Sequence, residues 1–490
     1  MRAGLSPKWL LGGLVLIALG LRLATVDKLG FDQDELATIH FAQQPIWRII
    51  FGPGFDNHPP LYYAFIHVWL SATGVNEIAL RLPSVLAGTL AVWLAFKVGR
   101  TLLNPAAGWA GAVGLALLRP HILWSQHGRM YEFLTVFALL SIWSMAIVMT
   151  RPDAGRLMRY VIVTELMIYT QSAGVFVVVA QNLFWAGATI CGLLPRKWSN
   201  VFRWIGVQGL IVLLYVPWTI VAATRLAAIQ NGFWVKPEGV VSYMGGLLFF
   251  FAGTKLYPGA FLIAPAMTIL MAFAVWRTIR HRYGPSSRGV GMAAAVAVIP
   301  GLAMAVLSQF TQPIFVPRAL LPSAVACYWL AGYAIAFLSL RLRIAVASIA
   351  LLAAVVSAAQ FELVPPPRGD LRDALTGLCY DVHSDDMVYL HGWPEAKDYM
   401  TRLCVRPGDP NATPRVVTSR FGELAASVAG WCRDPAHHAV YVMHVSNSET
   451  PAYGLITVDE YIAVLTRARL ELTRSNDQTV GHTNLWHCQR

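Results

Sequence analysis

The feature that most constrains this chain is a series of apolar stretches, each about as long as a bilayer is thick, with Lys or Arg in alternate gaps. A membrane-spanning helix needs about 20 mostly apolar residues. About eleven such stretches are present, at 9–26, 79–100, 106–124, 131–150, 159–172, 174–193, 203–222, 258–278, 289–309, 317–339 and 343–361. Cytoplasmic loops carry an excess of Lys and Arg. With Arg2 and Lys8 placed inside, the next inner turns hold Lys97 and Arg100, then Arg151, Arg156 and Arg159. After these come Arg196, Lys197 and Arg203, then Arg277, Arg280, Arg282 and Arg288, then Arg341 and Arg343. Every inner turn is basic, so count and orientation support each other. The N-terminus is expected in the cytoplasm and the C-terminal part outside. The first stretch reads as a retained span, because its apolar run is long and no small-residue cleavage site follows it.

Charge explains why no ordinary soluble protein fits. Only 13% of the residues are charged, against about 25% in a soluble domain. Disorder, fibrous repeats and a small disulfide scaffold are excluded as well. Residues 1–361 hold 26 Lys and Arg but 10 acids, whereas residues 362–490 hold 12 against 16. The two regions therefore face different solvents. The reading is a polytopic α-helical membrane protein over 1–361, followed by a small extracytoplasmic α/β domain over 362–490. The basic residues are spread over turns rather than gathered in one patch, so no nucleic-acid partner is expected. The tail opens with the stiff run Pro365-Pro366-Pro367. Strand-like runs follow at 387–390 and 439–445, with a helix-like run at 458–467. Cys379, Cys404, Cys432 and Cys488 lie in this tail, where disulfides are permitted and three pairings remain open. Cys191 and Cys327 fall in spans and read as apolar filler.

The expected outer loops are 27–78, the turns near 125–131 and 170–174, 223–257 and 310–317. Acids are scarce before residue 362, and five of the ten precede residue 57. Four of them lie in 27–35, around Phe31-Asp32-Gln33-Asp34-Glu35, with Asp56 following. A carboxylate cluster there can act as a general base, bind a cation or hold a hydroxyl; Asp32 can equally cap a helix. His58 precedes Pro59-Pro60 and the short apolar run 58–70, whose Tyr62, Tyr63 and Trp69 suit a membrane interface. His127-Gly128-Arg129-Met130-Tyr131-Glu132 joins the third and fourth stretches, and Arg129 and Glu132 are spaced to pair along a helix. Glu165 lies within a span and is expected to pair with an Arg. Arg22 and Arg81, near outer ends, are expected to snorkel. Arg318 sits at an outer boundary, where the orientation rule gives an Arg no reason to be, and its fork suits a phosphate. Asn231-Gly232-Phe233-Trp234 is an aromatic cluster that suits a sugar or an interface. No P-loop, dinucleotide fingerprint, CxxC pair or HExxH is present.

Asp34-Glu35 after the first span, His58-Pro59-Pro60-Leu61-Tyr62-Tyr63, Arg81-Leu82-Pro83-Ser84, Arg129-Met130-Tyr131 and Pro313 to Arg318 occur in an order that resembles bacterial members of the protein O-mannosyltransferase and aminoarabinose transferase superfamily. These are membrane glycosyltransferases of the GT-C fold. The resemblance covers roughly residues 1–335. It implies a sugar donor linked to polyprenyl phosphate and transfer outside the membrane with inversion. It implies Asp34 as the base that activates an acceptor hydroxyl, with Glu35 as its partner. It implies His58 and Arg318 on the donor phosphate, and Asp56, Arg81, Arg129, Tyr131 and Glu132 lining the cavity. The implied setting is a bacterial inner membrane with a periplasmic site, no resident cofactor or metal, and a protein or glycolipid acceptor. Three positions depart from the family's pattern: Gln171-Ser172 where a His-Tyr is common, Ala319 where Tyr is common, and His58 where aminoarabinose-type relatives have Lys. A transporter or flippase of lipid-linked sugars is the alternative, although inverted repeats and paired mid-membrane ionisable residues are lacking. A scaffold whose outer tail does the binding is a third reading.

Overall fold

The computed structural model describes residues 7–52, 58–229, 237–253, 260–281, 286–311 and 313–363, together with 387–391, 399–400, 415–417, 439–444, 470–478 and 481–488. Helices dominate. In chain order they are α1 Pro7–Leu23, α2 Gln33–Ala42, α3 Ile46–Phe51, α4 Leu61–Thr73, α5 Glu77–Leu102, α6 Pro105–Leu117, α7 Arg119–Ser125 and α8 Tyr131–Thr150. There follow α9 Ala154–Thr170, α10 Gly174–Ile190, α11 Trp198–Ile229, α12 Val240–Phe251, α13 Ala260–Arg280, α14 Ser287–Leu307, a 3-10 turn Pro317–Leu320, α15 Leu321–Ile335 and α16 Leu340–Leu363.

Nine of the eleven apolar stretches each fall on one helix. Six helices among the described residues are long and apolar enough to cross a bilayer on their own, namely α5, α8, α11, α13, α14 and α16. Local chemistry sets several boundaries. Asn76, Asn104 and Asp153 each accept a hydrogen bond from a backbone N–H three residues on, at 2.8, 2.8 and 2.9 Å, which caps α5, α6 and α9. Two expectations need correction. The third stretch is two helices, because Leu118 is extended (ψ 132°) and α7 starts afresh. Pro120 has no N–H to give Ala116 and its ring clashes with that carbonyl, so α6 stops short. The tenth stretch begins as the 3-10 turn, again at a Pro. The loops expected outside also hold α2, α3 and α12, whose short runs fall below the length of a span. The run 58–70 is helical as α4.

The chain forms two compact units. The first comprises residues 1–26, 41–230 and 235–365. Its core is small residues and rings interleaved. Trp329 of α15 lies against α5 and α6, with Nε1 donating to Ala95 O at 2.9 Å. A Cβ on Gly99 or Gly111 would come within 2.4 Å of that nitrogen. Close helix approach through small residues is the usual membrane solution, since lipid supplies no hydrophobic drive between helices. By contrast α11, α13 and α16 keep most of their apolar side chains exposed, as lipid-facing helices do.

The second unit comprises residues 27–40, 231–234 and 366–490. It holds a five-stranded sheet of order β2-β1-β3-β5-β4. The strands are β1 Met387–His391, β2 Arg415–Val417, β3 Ala439–His444, β4 Leu470–Gln478 and β5 Gly481–Cys488. β1 is parallel to β2 and β3, while β5 pairs antiparallel with β3 and β4. β1 and β3 are the two runs read from the sequence. Phe31, from the segment after α1, meets the Tyr399 ring at a tilt, with centroids 4.9 Å apart. The run 458–467, Cys379, Cys404, Cys432 and the aromatic cluster at 231–234 lie outside the described residues.

Candidate functional site

The acidic segment starts a helix. Glu35 N donates to Asp32 Oδ1 at 3.0 Å and Asp32 N donates to Glu35 Oε2 at 3.2 Å. This is a reciprocal capping box with Asp in the usual Ser or Thr place. Asp32 therefore does cap, and Glu35 completes the box. Asp34 sits between them on the first turn of α2, half-buried, and its carbonyl accepts from Thr38 Oγ1 at 2.9 Å. Carboxylates at this position also complement the helix dipole.

In the first unit, the turn between α7 and α8 gathers cations and rings. Arg318 Nε donates to Tyr131 Oη at 2.6 Å. Its guanidinium carbon lies 5.2 Å from the Trp124 ring centroid and 5.5 Å from that of Tyr131. Trp124 meets His127 and Tyr131 edge-on, each at 5.1 Å. Arg129 Nη1 donates to Tyr63 Oη at 3.1 Å, and Arg129 O accepts from Ser84 Oγ at 3.0 Å. His127 and Arg129 are both buried. Gly128 is required here, since a Cβ would come within 2.5 Å of Leu80. Arg318 is brought to this turn by the approach to its 3-10 turn: Ile314 N donates to Ser308 Oγ at 3.0 Å and Phe315 stacks on Tyr243 at 4.5 Å. An Arg held by an aromatic hydroxyl over ring faces keeps a fixed orientation, which favours planar recognition of an oxyanion.

A second layer of charge is buried in the same unit. Arg22 is wholly buried, and its guanidinium donates to Ser125 Oγ at 2.9 Å, Ala18 O at 3.0 Å and Leu115 O at 2.6 Å. The Glu132 carboxylate acts on it electrostatically. Glu132 is also wholly buried; both its oxygens lack a hydrogen-bond partner among the described residues, and Oε1 lies 3.8 Å from His121 Nδ1. Gly88 makes room for this group, as a Cβ there would lie 2.1 Å from Ser125 Oγ.

The structure thus brings together Arg129, Tyr131 and Arg318, and sets Glu132 on the Arg22 side instead of pairing it with Arg129. Neither Arg22 nor Arg81 snorkels. Arg81 is buried, and its Nη1 donates to Val26 O at 2.7 Å. Glu165 has no Arg partner; both its oxygens are shielded and without a hydrogen bond among the described residues. His58 is half-buried just ahead of α4, and Asp56 lies outside the described residues. Sequence reading gave no site role to Trp124, Tyr63 or His121. Their signal was present as aromatic or His residues beside motif positions, yet such residues are commonplace in spans.

Residues 57–220 match the family of dolichyl-phosphate-mannose-protein mannosyltransferases. No curated protein sequence matches the chain. Among solved structures the chain is similar to ArnT from Cupriavidus metallidurans in the apo state, at 15% identity and a TM-score of 0.63, with 98% of each chain covered. ArnT bound to undecaprenyl phosphate matches at 14% identity and a TM-score of 0.63, with 99% of each chain covered. The Archaeoglobus fulgidus oligosaccharyltransferase in complex with zinc and sulfate matches at 13% identity and a TM-score of 0.55, covering 97% of this chain and 72% of that one. The chain therefore shares the fold of these solved structures, the GT-C fold expected from the sequence.

Proposed function

We propose that this protein is a glycosyltransferase of a bacterial inner membrane, moving a sugar from a polyprenyl-phosphate donor to an acceptor hydroxyl on the periplasmic face. The observation that carries the reading is the Arg318 guanidinium held at 2.6 Å by Tyr131 and laid over Trp124, an orientation suited to a phosphate oxygen. The likeness to an ArnT determined with undecaprenyl phosphate supports the donor class.

In this scheme the Asp34 carboxylate takes the proton of the acceptor hydroxyl. The acceptor oxygen then forms its bond to the anomeric carbon as the bond from that carbon to the phosphate oxygen breaks, with inversion. The leaving polyprenyl phosphate carries the developing negative charge, which Arg318 and His58 stabilise. Such a leaving group needs no acid, and no metal enters the scheme. Arg129, Tyr131 and Asp56 shape the cavity, with Arg81 and Glu132 supporting it and Glu35 fixing the helix that carries the base. The acceptor is a protein or glycolipid.

Asp34→Asn should lower transfer by about 10²-fold or more, the usual contribution of a general base, while expression and thermal unfolding stay unchanged. Wild-type turnover in that variant would remove Asp34 from the chemistry. Mass spectrometry of envelope lipids and glycoproteins from a deletion strain would identify sugar and acceptor. Transport of lipid-linked sugar by vesicles, without any transfer product, would favour the flippase reading.

A further inference from the structure

The far end of the bundle carries a cleft that the transfer scheme does not use. It lies among the ends of α8, α9, α10 and α11, with Met149, Trp185, Leu194, Asn200, Arg203 and Trp204 on its walls. Its floor is a stacked indole pair: Trp185 and Trp204 lie 5.4 Å apart with planes 10° from parallel. Trp204 is fixed from behind, where Nε1 donates to Asn182 Oδ1 at 2.9 Å and the ring stacks on Tyr160 at 5.5 Å. Apart from Thr189, Asn200 and Arg203 the walls are apolar, so the cleft suits a hydrocarbon chain.

Its rim is strongly cationic. Arg151, Arg156, Arg159, Arg196, Lys197 and Arg203 all lie in or beside the two turns that border it. The only acid in this stretch, Asp153, pairs with Arg156. Arg159 lies over the Trp143 ring at 5.5 Å. Arg196, Lys197 and Arg203 have no carboxylate partner among the described residues, and Arg203 makes only a 3.3 Å hydrogen bond to Pro152 O. An apolar slot with several uncompensated cations at its mouth is complementary to one kind of membrane molecule, an acyl chain carrying an anionic headgroup. Trp at the same level suits the headgroup boundary.

The position separates this molecule from any substrate at Arg318. Val148 and Met149 line the cleft, and Tyr131 starts the same helix. At 1.5 Å per residue the two ends are roughly 28 Å apart, close to the hydrocarbon thickness of about 30 Å. We propose that this cleft binds one anionic glycerophospholipid from the leaflet opposite the Arg318–Tyr131 site. The headgroup phosphate meets Arg203 with Arg196 and Lys197, and an acyl chain lies against Trp185 and Trp204. The bound lipid bridges the α8–α9 and α10–α11 turns, beside the 3.3 Å hydrogen bond from Arg203 to Pro152 O.

The test uses the purified full-length protein in mild detergent, with native mass spectrometry of lipid adducts. Wild type should retain phosphatidylglycerol about tenfold or more better than phosphatidylcholine, in line with about fivefold for each basic side chain near a headgroup. Arg203→Ala should lower phosphatidylglycerol retention about fivefold, Arg203→Lys should keep most of it, and Trp185→Ala should lower retention of both lipids. Arg203 is exposed, so its variants fold. Arg280→Ala, on α13, and Arg318→Ala should leave retention as in wild type. Equal retention of the two lipids by wild type, or unchanged retention in Arg203→Ala, overturns the assignment. A loss in Arg318→Ala equal to that in Arg203→Ala also overturns it, because the lipid detected would then sit at the other end of α8.

Discussion

Tyr131 and Glu132 are neighbours in sequence and serve two different groups. The Tyr131 hydroxyl takes Arg318, whereas the Glu132 carboxylate faces Arg22 and His121. Each can be tested separately. Tyr131→Phe removes one hydrogen bond to a charged group, worth about 1.5–3 kcal/mol. Donor affinity, measured by titration with polyprenyl phosphate, should fall, and the thermal midpoint should fall with it because the bond is present in the free protein. Glu132 is different, because a lone buried charge is the costly state. Breaking a buried ion pair in direct contact costs about 3–5 kcal/mol, whereas apolar replacement of both partners is often neutral; Glu132 acts on Arg22 without an ion-pair contact among the described residues, so each single loss should be smaller. Arg22→Met and Glu132→Leu should each lower the thermal midpoint, and the double variant should recover much of the loss. Additive losses would show that the two charges do not compensate each other.

At the level of elements, the bundle is set by where helices are allowed to approach and where they must stop. Trp329 occupies space that exists only because Gly99 and Gly111 carry no side chain. Its indole is hydrogen-bonded to Ala95 O at 2.9 Å, so it has little freedom to yield. Gly111→Val should therefore destabilise the protein by about 1–3 kcal/mol through overpacking, read as a lower unfolding temperature. The capping asparagines, the capping box at Asp32 and Glu35 and the proline at 120 are local devices. They were legible because each acts within four residues of itself. The split of the third stretch was legible in principle from Pro120, but apolar composition alone masks a break in a helix. The 3-10 turn ahead of α15 has the same cause, since Pro317 and Pro322 limit what the backbone between them can do.

At the scale of the whole molecule, Arg318, Tyr131, Trp124, Arg129 and Tyr63 are joined by contacts within the first compact unit. A chain ending at residue 365, titrated with polyprenyl phosphate, tests whether the tail takes part in binding. Loss of binding in that truncation would place determinants of the phosphate site in the tail and favour the scaffold reading. Transfer is a separate readout, because residues 27–40, which carry Asp34, fall in the same compact unit as the tail.

The sequence by itself determined the helical membrane class, the placement of nine of the eleven apolar stretches each on one helix and the position of several helix starts. The bilayer imposes length and apolarity on each segment independently, and caps act between near neighbours. It also marked Arg318 and Tyr131 as residues of interest. Only the tertiary structure joined them, across 187 residues, and only it buried Arg22 and Arg81 where snorkelling was equally open to a long side chain. It left Arg129 in the turn before α8 and Glu132 on the helix itself, although their spacing in sequence suited a pair. Such choices depend on which helices cross and at what depth, and these are properties of packing between segments far apart in the chain.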